Sequence, residues 1–336
     1  MQQRIGGVAL ADGTGLATAT VGDGPPLLYV GGWLSHLELS WELPEERAFL
    51  KRLGRGRRLV RYDREGNGLS DPAAGTPSLA RELEQLTAVA APLGPEPIDV
   101  IGTSLGALVA VAWAASRPAA VRRLVLYGGW VTGSEIAPPA VRDHVLGLVA
   151  AHWGLGADVL TEVFAPDAPA ASRAGFGRYQ RAASSADTAR GLLALSYALD
   201  MRTLLPNVSA PTLVVHRAGD RAAPLAQAEA LAAGIAGAEL VVLPGRSHLP
   251  WAGDTHALVT VIRRFLGLPV GPRASSELTP RQAEVAALVA EGRTNREIAG
   301  RLGIEERSAE GHVERIRLRL GLRSRAQIAA WVASRD

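Results

Sequence analysis

Apolar and polar positions change rhythm along this chain, and the changes predict its elements. Short apolar runs at Val8–Leu10, Leu16–Val21 and Leu27–Val30 are separated by Asp12-Gly13 and Asp23-Gly24-Pro25-Pro26, so three strands joined by turns are expected. A helical rhythm follows at Glu45–Leu53, then a strand at Leu59–Tyr62, a helix at Leu79–Ala91, a buried strand around Ile98, Val100 and Ile101, a nearly all-apolar helix after Ser104, and a strand at Leu124–Tyr127. Residues 131–205 break this alternation with helix-like runs and no clear strand. It resumes with Thr212–Val215, Leu225–Ile235, Leu240–Leu243 and His256–Leu268. Strands alternating with helices imply a mostly parallel sheet covered on both faces, and the interruption reads as a helical insertion over one edge of it.

Pro269–Ser276 can neither hold a helix nor bury a face, and reads as a linker. Beyond it the grammar is wholly helical. Thr279-Pro280-Arg281-Gln282 and Thr294-Asn295-Arg296-Glu297 both have capping-box form, and the helices they open carry Val285, Leu288, Val289 and then Ile298, Leu302. Gly303 makes a turn, a third helix spaces Ala309, Val313, Ile316 and Leu320 along one face, and Ser324 caps a fourth with Ile328 and Trp331. The expected organisation is therefore 1–268, a linker at 269–276, and a small all-α domain at 277–336 with a glycine turn between its second and third helices, a helix-turn-helix.

Composition narrows the chemistry. The 336 residues include no cysteine, which removes disulfides, thiolate zinc sites and a Cys nucleophile together. The net charge of +3 is uneven, since residues 277–336 hold 11 arginines against 9 acids, and a polyanion partner is suggested at that end. The first residues lack a charged start followed by a long apolar run, and the longest apolar stretch is too short for a bilayer; the expectation is a cytoplasmic protein with no membrane partner. No metal ligand set or cofactor motif stands out, and none is expected.

Within the first domain, Gly102-Thr103-Ser104-Leu105-Gly106 has the G-x-S-x-G form, between a strand and a helix. Asp220 and His248 each follow a later strand, so Ser104, Asp220 and His248 come in that order at strand carboxyl ends, where open α/β sheets place their sites. His248 can take the serine proton, and Asp220 can hold the imidazole in the right tautomer. The insertion and its neighbours supply Trp130, Trp153, Phe164, Phe176, Tyr179, Tyr197 and Trp251 as candidates to line an apolar ligand pocket.

On these residues the first domain resembles the α/β-hydrolase superfamily, nearest its haloperoxidase and epoxide-hydrolase-like branch. The resemblance implies an α/β-hydrolase fold with a helical cap at about 131–205, and an oxyanion hole from the backbone amides of Trp33 and Leu105. It departs from the pattern where Gly31-Gly32 replaces His-Gly and where Glu65 stands in place of an arginine. Serine at 104, in place of the aspartate of epoxide and haloalkane hydrolases, favours cleavage of esters, thioesters or lactones.

The C-terminal string, with Leu278-Thr279-Pro280-Arg281, Asn295-Arg296-Glu297-Ile298-Ala299 and His312-Val313 in register, resembles the LuxR/NarL-type DNA-binding domain. That resemblance implies double-stranded DNA as partner, a homodimer supported by the fourth helix, and phosphate contacts from Thr294, Asn295, Arg315, Arg317, Arg319, Arg323 and Arg325. Where the family commonly offers Lys or Arg to bases, the third helix has Glu310, Gly311 and Glu314; glutamate and Ser308 are the expected readers. Together the halves point to a transcriptional regulator sensing a small apolar ester or lactone. A serine esterase with secondary DNA binding and an inert scaffold used for dimerisation remain as alternatives.

Overall fold

The structure, a computed structural model, describes residues 1–270, 278–320, 322 and 324–333. It divides into two compact units, Met1–Pro269 and Val270–Asp336. Most of the expected linker lies outside the described residues.

The first unit is built on eight strands, β1 (Gln3–Ala9), β2 (Gly15–Val21), β3 (Pro26–Val30), β4 (Arg58–Tyr62), β5 (Ile98–Thr103), β6 (Val121–Tyr127), β7 (Thr212–Arg217) and β8 (Glu239–Leu243). They form one sheet in the order β1-β2-β4-β3-β5-β6-β7-β8. All pairs from β4 to β8 are parallel, while β2 runs antiparallel to both of its neighbours. The sheet is thus mixed, with the antiparallel strand near one edge, where a turn as short as Asp12-Gly13 can join β1 to β2 without a crossover. Central β5 is buried at every position, whereas edge strand β1 is largely exposed.

Helices α1 (Leu37–Glu42), α2 (Pro44–Leu53), α3 (Leu79–Ala90) and α4 (Leu105–Ser116) follow in the first half. Helix α4 lies inside the protein, with every residue from Leu105 to Ala114 buried, which explains its lack of a polar face. The regular elements of the insertion between β6 and β7 are helices, chiefly α5 (Pro139–Ala151), α6 (Trp153–Phe164), α7 (Ala170–Ala183) and α8 (Ala186–Ala198). Gln227 ties its first residues down, its side-chain oxygen accepting from the Val131 and Thr132 amides at 3.0 and 2.9 Å. Helices α9 (Leu225–Gly234) and α10 (Thr255–Phe265) complete the unit. This is the expected α/β-hydrolase fold with its helical insert.

The second unit is four helices, α11 (Pro280–Ala290), α12 (Asn295–Leu302), α13 (Glu306–Leu320) and α14 (Arg325–Ala333). Its small core joins Val285, Leu288, Val289, Ile298, Ala309, Ile316 and Ile328. Both capping boxes form reciprocally, at Thr279/Gln282 and Thr294/Glu297. Gly303 closes α12 with φ 65°, a left-handed conformation that suits glycine and makes the turn into α13.

Candidate active site and nucleic-acid interface

Ser104 sits at the end of β5 with φ 55°, and it is the sole non-glycine residue with positive φ among the described residues. Such a conformation is costly for a side-chain-bearing residue and persists where its surroundings over-determine it. Here they do. The Ser104 amide donates to the Tyr127 carbonyl at 2.9 Å. A Cβ on Gly102 would meet the Gly106 carbonyl at 2.5 Å, and one on Gly106 would strike the carbonyls of Val30 and Gly31. The two glycines therefore let strand and helix pack closely enough to lift the serine hydroxyl above the sheet.

The three residues predicted to act together are brought together. His248 Nε2 lies 2.8 Å from Ser104 Oγ, and His248 Nδ1 lies 2.8 Å from Asp220 Oδ2. Asp220 Oδ1 accepts from the amides of Ala222 and Ala223 at 2.8 and 3.3 Å, which fixes the carboxylate. Burial works to raise its pKa, but His248, His216 and the Ala222 amide outweigh it and leave the carboxyl below its ordinary value. Asp220 is thus a charged partner for the imidazole. The His248 amide donates to the Phe164 carbonyl at 2.7 Å, anchoring the histidine loop to the end of α6. Gly128 leaves room for the ring, since a Cβ there would lie 3.0 Å from His248 Cε1. Sequence reading missed His216, which is buried 3.8 Å from Asp220 and donates from Nε2 to the Ala223 carbonyl at 2.9 Å. Burial lowers its pKa, against the opposing pull of Asp220.

The residues expected to supply the oxyanion hole lie next to the serine in sequence or on the same cavity walls. Leu105 opens α4, where amides have no intrahelical acceptor, and the Gly31-Gly32-Trp33 loop passes so close that a Cβ on Gly32 would be 3.5 Å from Ser104 Cβ. What holds that loop was not legible. Glu65 occupies the position where arginine was expected, but Arg64, one residue earlier, is fully buried and donates to the carbonyls of Gly31, at 2.8 Å, and Gly32. Its Nε donates to buried Glu82 at 2.7 Å. Glu65 instead accepts from Arg81 Nε at 2.6 Å.

Two cavities reach the serine. One, of about 150 Å³, is apolar and takes in Trp33, Trp130, Leu160, Phe164 and Tyr197 beside Ser104 and His248. The other, of about 80 Å³, is lined by Trp33, Phe164, Phe176, Tyr179 and Trp251, and also by polar residues of β4 and α2. Six of the seven expected pocket aromatics thus line one cavity or the other. Trp153 lines neither: it packs edge-on against Trp33 at 5.9 Å and donates from Nε1 to the Ser184 carbonyl at 3.0 Å, buttressing the wall from behind. Among the described residues there is no cluster of His, Asp or Glu able to hold a metal ion, and no helix long and apolar enough to cross a membrane.

In the second unit Ala309 and Ile316 point α13 into the core, while Ser308, Glu310, Glu314 and Arg315 are exposed and Gly311 is half-buried. Arg317 is partnered, its Nε donating to Glu314 at 2.7 Å. Arg325 donates to Asn295 Oδ1 at 2.8 Å and to the Arg293 carbonyl, so these two predicted phosphate ligands tie the start of α14 to the start of α12. Thr294 is engaged in its capping box. Arg323 and the side chain of Arg319 lie outside the described residues.

A serine elbow, a histidine and a carboxylate aligned on a mostly parallel sheet under a helical insert define the class of serine hydrolases built on this fold. Residues 27–261 match the alpha/beta hydrolase family, and the chain belongs to it. Residues 276–332 match the bacterial regulatory proteins of the luxR family, so a LuxR-type helix-turn-helix domain is fused at the C-terminal side. The chain is 25% identical over 250 residues to a pyrrolizixenacetamide deacetylase of Xenorhabdus hominickii, covering 73% of this chain and 92% of that one. It is 38% identical over 60 residues to the nitrate/nitrite response regulator NarL of Escherichia coli, covering 18% of this chain and 28% of that protein. A hydrolase from Pseudomonas aeruginosa superimposes with a TM-score of 0.68 at 26% identity, covering 79% of this chain and 98% of the other.

Proposed function

We propose that this protein is a DNA-binding regulator whose hydrolase domain binds, and at Ser104 cleaves, a small ester or amide, so that ligand occupancy sets DNA affinity. The observation that carries the reading is the aligned Ser104–His248–Asp220 chain, with 2.8 Å at both links, in a polypeptide that also holds a LuxR-type domain. In this reading Ser104 Oγ attacks the ligand carbonyl carbon as its proton passes to His248 Nε2, and the amides of Trp33 and Leu105 receive the developing oxyanion. His248 returns that proton to the departing alcohol or amine, and water then releases the acid. The related deacetylase is named for the removal of an acyl group, which fits this chemistry.

For the DNA domain, exposed Arg315 positions the phosphate backbone, and Ser308, Glu310 and Glu314 face the bases, glutamate accepting from cytosine N4. The protein binds as a homodimer on a two-fold site. A ligand regulates only through a difference in affinity between arrangements that bind DNA well and badly. The test is selection of bound sequences from a random duplex library, followed by titration of the selected duplex with and without an ester library, for the wild type and for Ser104→Ala. The expected result is a ligand that shifts DNA affinity at least several-fold and that the wild type, but not Ser104→Ala, consumes. Enrichment of no sequence at low salt would overturn the regulatory half, and absence of turnover for every ester and amide would overturn the hydrolytic half.

A further inference from the structure

The smaller of the two cavities at Ser104 has a floor that esterase chemistry does not use. Beyond its aromatic wall it is lined by Tyr29, Ser40, Glu46, Arg61 and Asp63. Arg61 is 5% exposed. Its terminal nitrogens donate to two neutral acceptors, Ser40 Oγ at 2.9 Å and Gln3 Oε1, and its Nε has no partner. No carboxylate among the described residues forms an ion pair with it. A guanidinium in that position is poorly compensated unless a negative charge is brought to it.

Neither of the two acids nearby forms an ion pair with Arg61. Asp63 Oδ2 already accepts from the amides of Leu37 and Leu69 at 3.1 and 2.9 Å, and burial raises its pKa. Burial likewise pushes Glu46 up to about 7, against the pull of Arg61, so near neutral pH its carboxyl is largely shared between acid and anion. Arg61, Tyr29 and Tyr179 interact electrostatically with Glu46, and His36 and Asp63 line the same cavity. Glu46 makes no hydrogen bond among the described residues. A purely structural Arg61 would account for its ties to Ser40 and Gln3, but not for an unpartnered acid beside it on the wall of the cavity that contains the serine.

We propose that this chamber is a carboxylate subsite: the ligand whose carbonyl meets Ser104 carries a free carboxylate at its other end, received by the buried Arg61 guanidinium beside Glu46. The inference rests on the reading of Ser104 as an ester- or amide-binding site and names the class of molecule it takes. The bulkier apolar portion has the larger, apolar cavity to occupy.

The experiment is calorimetric titration of the full-length Ser104→Ala protein at mildly acidic pH. The probes are monomethyl esters of four- to eight-carbon dicarboxylic acids, each paired with the methyl alkanoate of the same length. At least one monoacid is expected to bind about tenfold or more tightly than its uncharged partner. Adding Arg61→Gln brings the pair to within about threefold, and adding Glu46→Gln keeps the preference and makes it persist at pH 8, where the parent's declines. Because Arg61→Gln risks misfolding, that pH profile of the parent is a second, independent readout. Equal binding of both probes at every length, or tighter binding of the alkanoates, overturns the subsite. Wild-type hydrolysis of p-nitrophenyl acetate separates the two ideas. Turnover without any carboxylate preference leaves the hydrolase reading standing and removes the subsite; preference without turnover does the reverse.

Discussion

The two units differ in where their ion pairs sit. The hydrolase unit has surface pairs such as Arg4–Asp23 and Arg202–Asp200, but it also buries charge: Arg64 with Glu82, and Asp99 with Arg57 at 3.2 Å and with Arg122, are ion pairs whose acid is buried, and Arg217 is 1% exposed. The helical unit displays it, in pairs such as Arg281–Glu284, Arg293–Glu297 and Arg317–Glu314, all on the surface. Exposed pairs contribute at most about 1 kcal/mol each, so the small unit depends on its core and its helix caps, and its arginines stay available to exchange partners. Buried pairs are costly to break and hold atoms in place. Charge inside one unit holds the loop beside Ser104, through Arg64, and charge outside the other suits a polyanion that must be gripped and released.

The largest effect should come from the centre itself. Ser104→Ala is expected to lower ester turnover by about a thousandfold or more, while DNA affinity without ligand stays unchanged. A loss of DNA binding in that variant would break the division of labour drawn above. Next is Arg64→Met, which leaves Glu82 buried and unpaired and frees the Gly31 and Gly32 carbonyls. The calorimetric transition of the hydrolase unit should weaken by about 3–5 kcal/mol, with the helical unit's transition unmoved. A surface arginine would lose almost nothing, so a change under about 1 kcal/mol would sink the contrast.

Glu46 sharpens the comparison through pH. Burial pushes its carboxyl from the ordinary value near 4.5 up to about 7. An acid with a raised folded pKa carries no penalty below its unfolded value; the penalty grows between the two values and levels off above the folded one. Glu46→Gln should therefore match the wild type near pH 4.5 and exceed it by about 1–3 kcal/mol at pH 8, measured by thermal unfolding of the hydrolase unit. A difference independent of pH would exclude this. The smallest effect belongs to the helical unit, where Thr294→Ala removes one capping box and should cost about 1 kcal/mol in that unit alone.

Much of this was readable before any coordinates. Alternating strand and helix rhythm gave the sheet, and glycines at fixed spacing around Ser104 gave the elbow. The order of Ser104, Asp220 and His248 gave the alignment, because each lies just past a strand. The two capping boxes marked α11 and α12 almost to the residue. Less visible was the antiparallel course of β2, since alternation fixes which residues face the core but not strand direction. Helix α1 was missed because six residues span less than two turns and carry too short a pattern. The Arg64 clamp and the Arg61–Glu46 chamber were invisible for a different reason. A charged residue in a sequence reads as solvated unless its burial is known, and the partners come from elements far apart in the chain.

The backbone at residue 104 carries one further consequence. A glycine would adopt φ 55° without penalty, so Ser104→Gly should raise the melting temperature of the hydrolase unit even as it removes the proposed nucleophile. Any laboratory evolution that selects this protein for heat resistance alone will therefore meet, as one of its cheapest single steps, a variant that is sturdier and chemically silent.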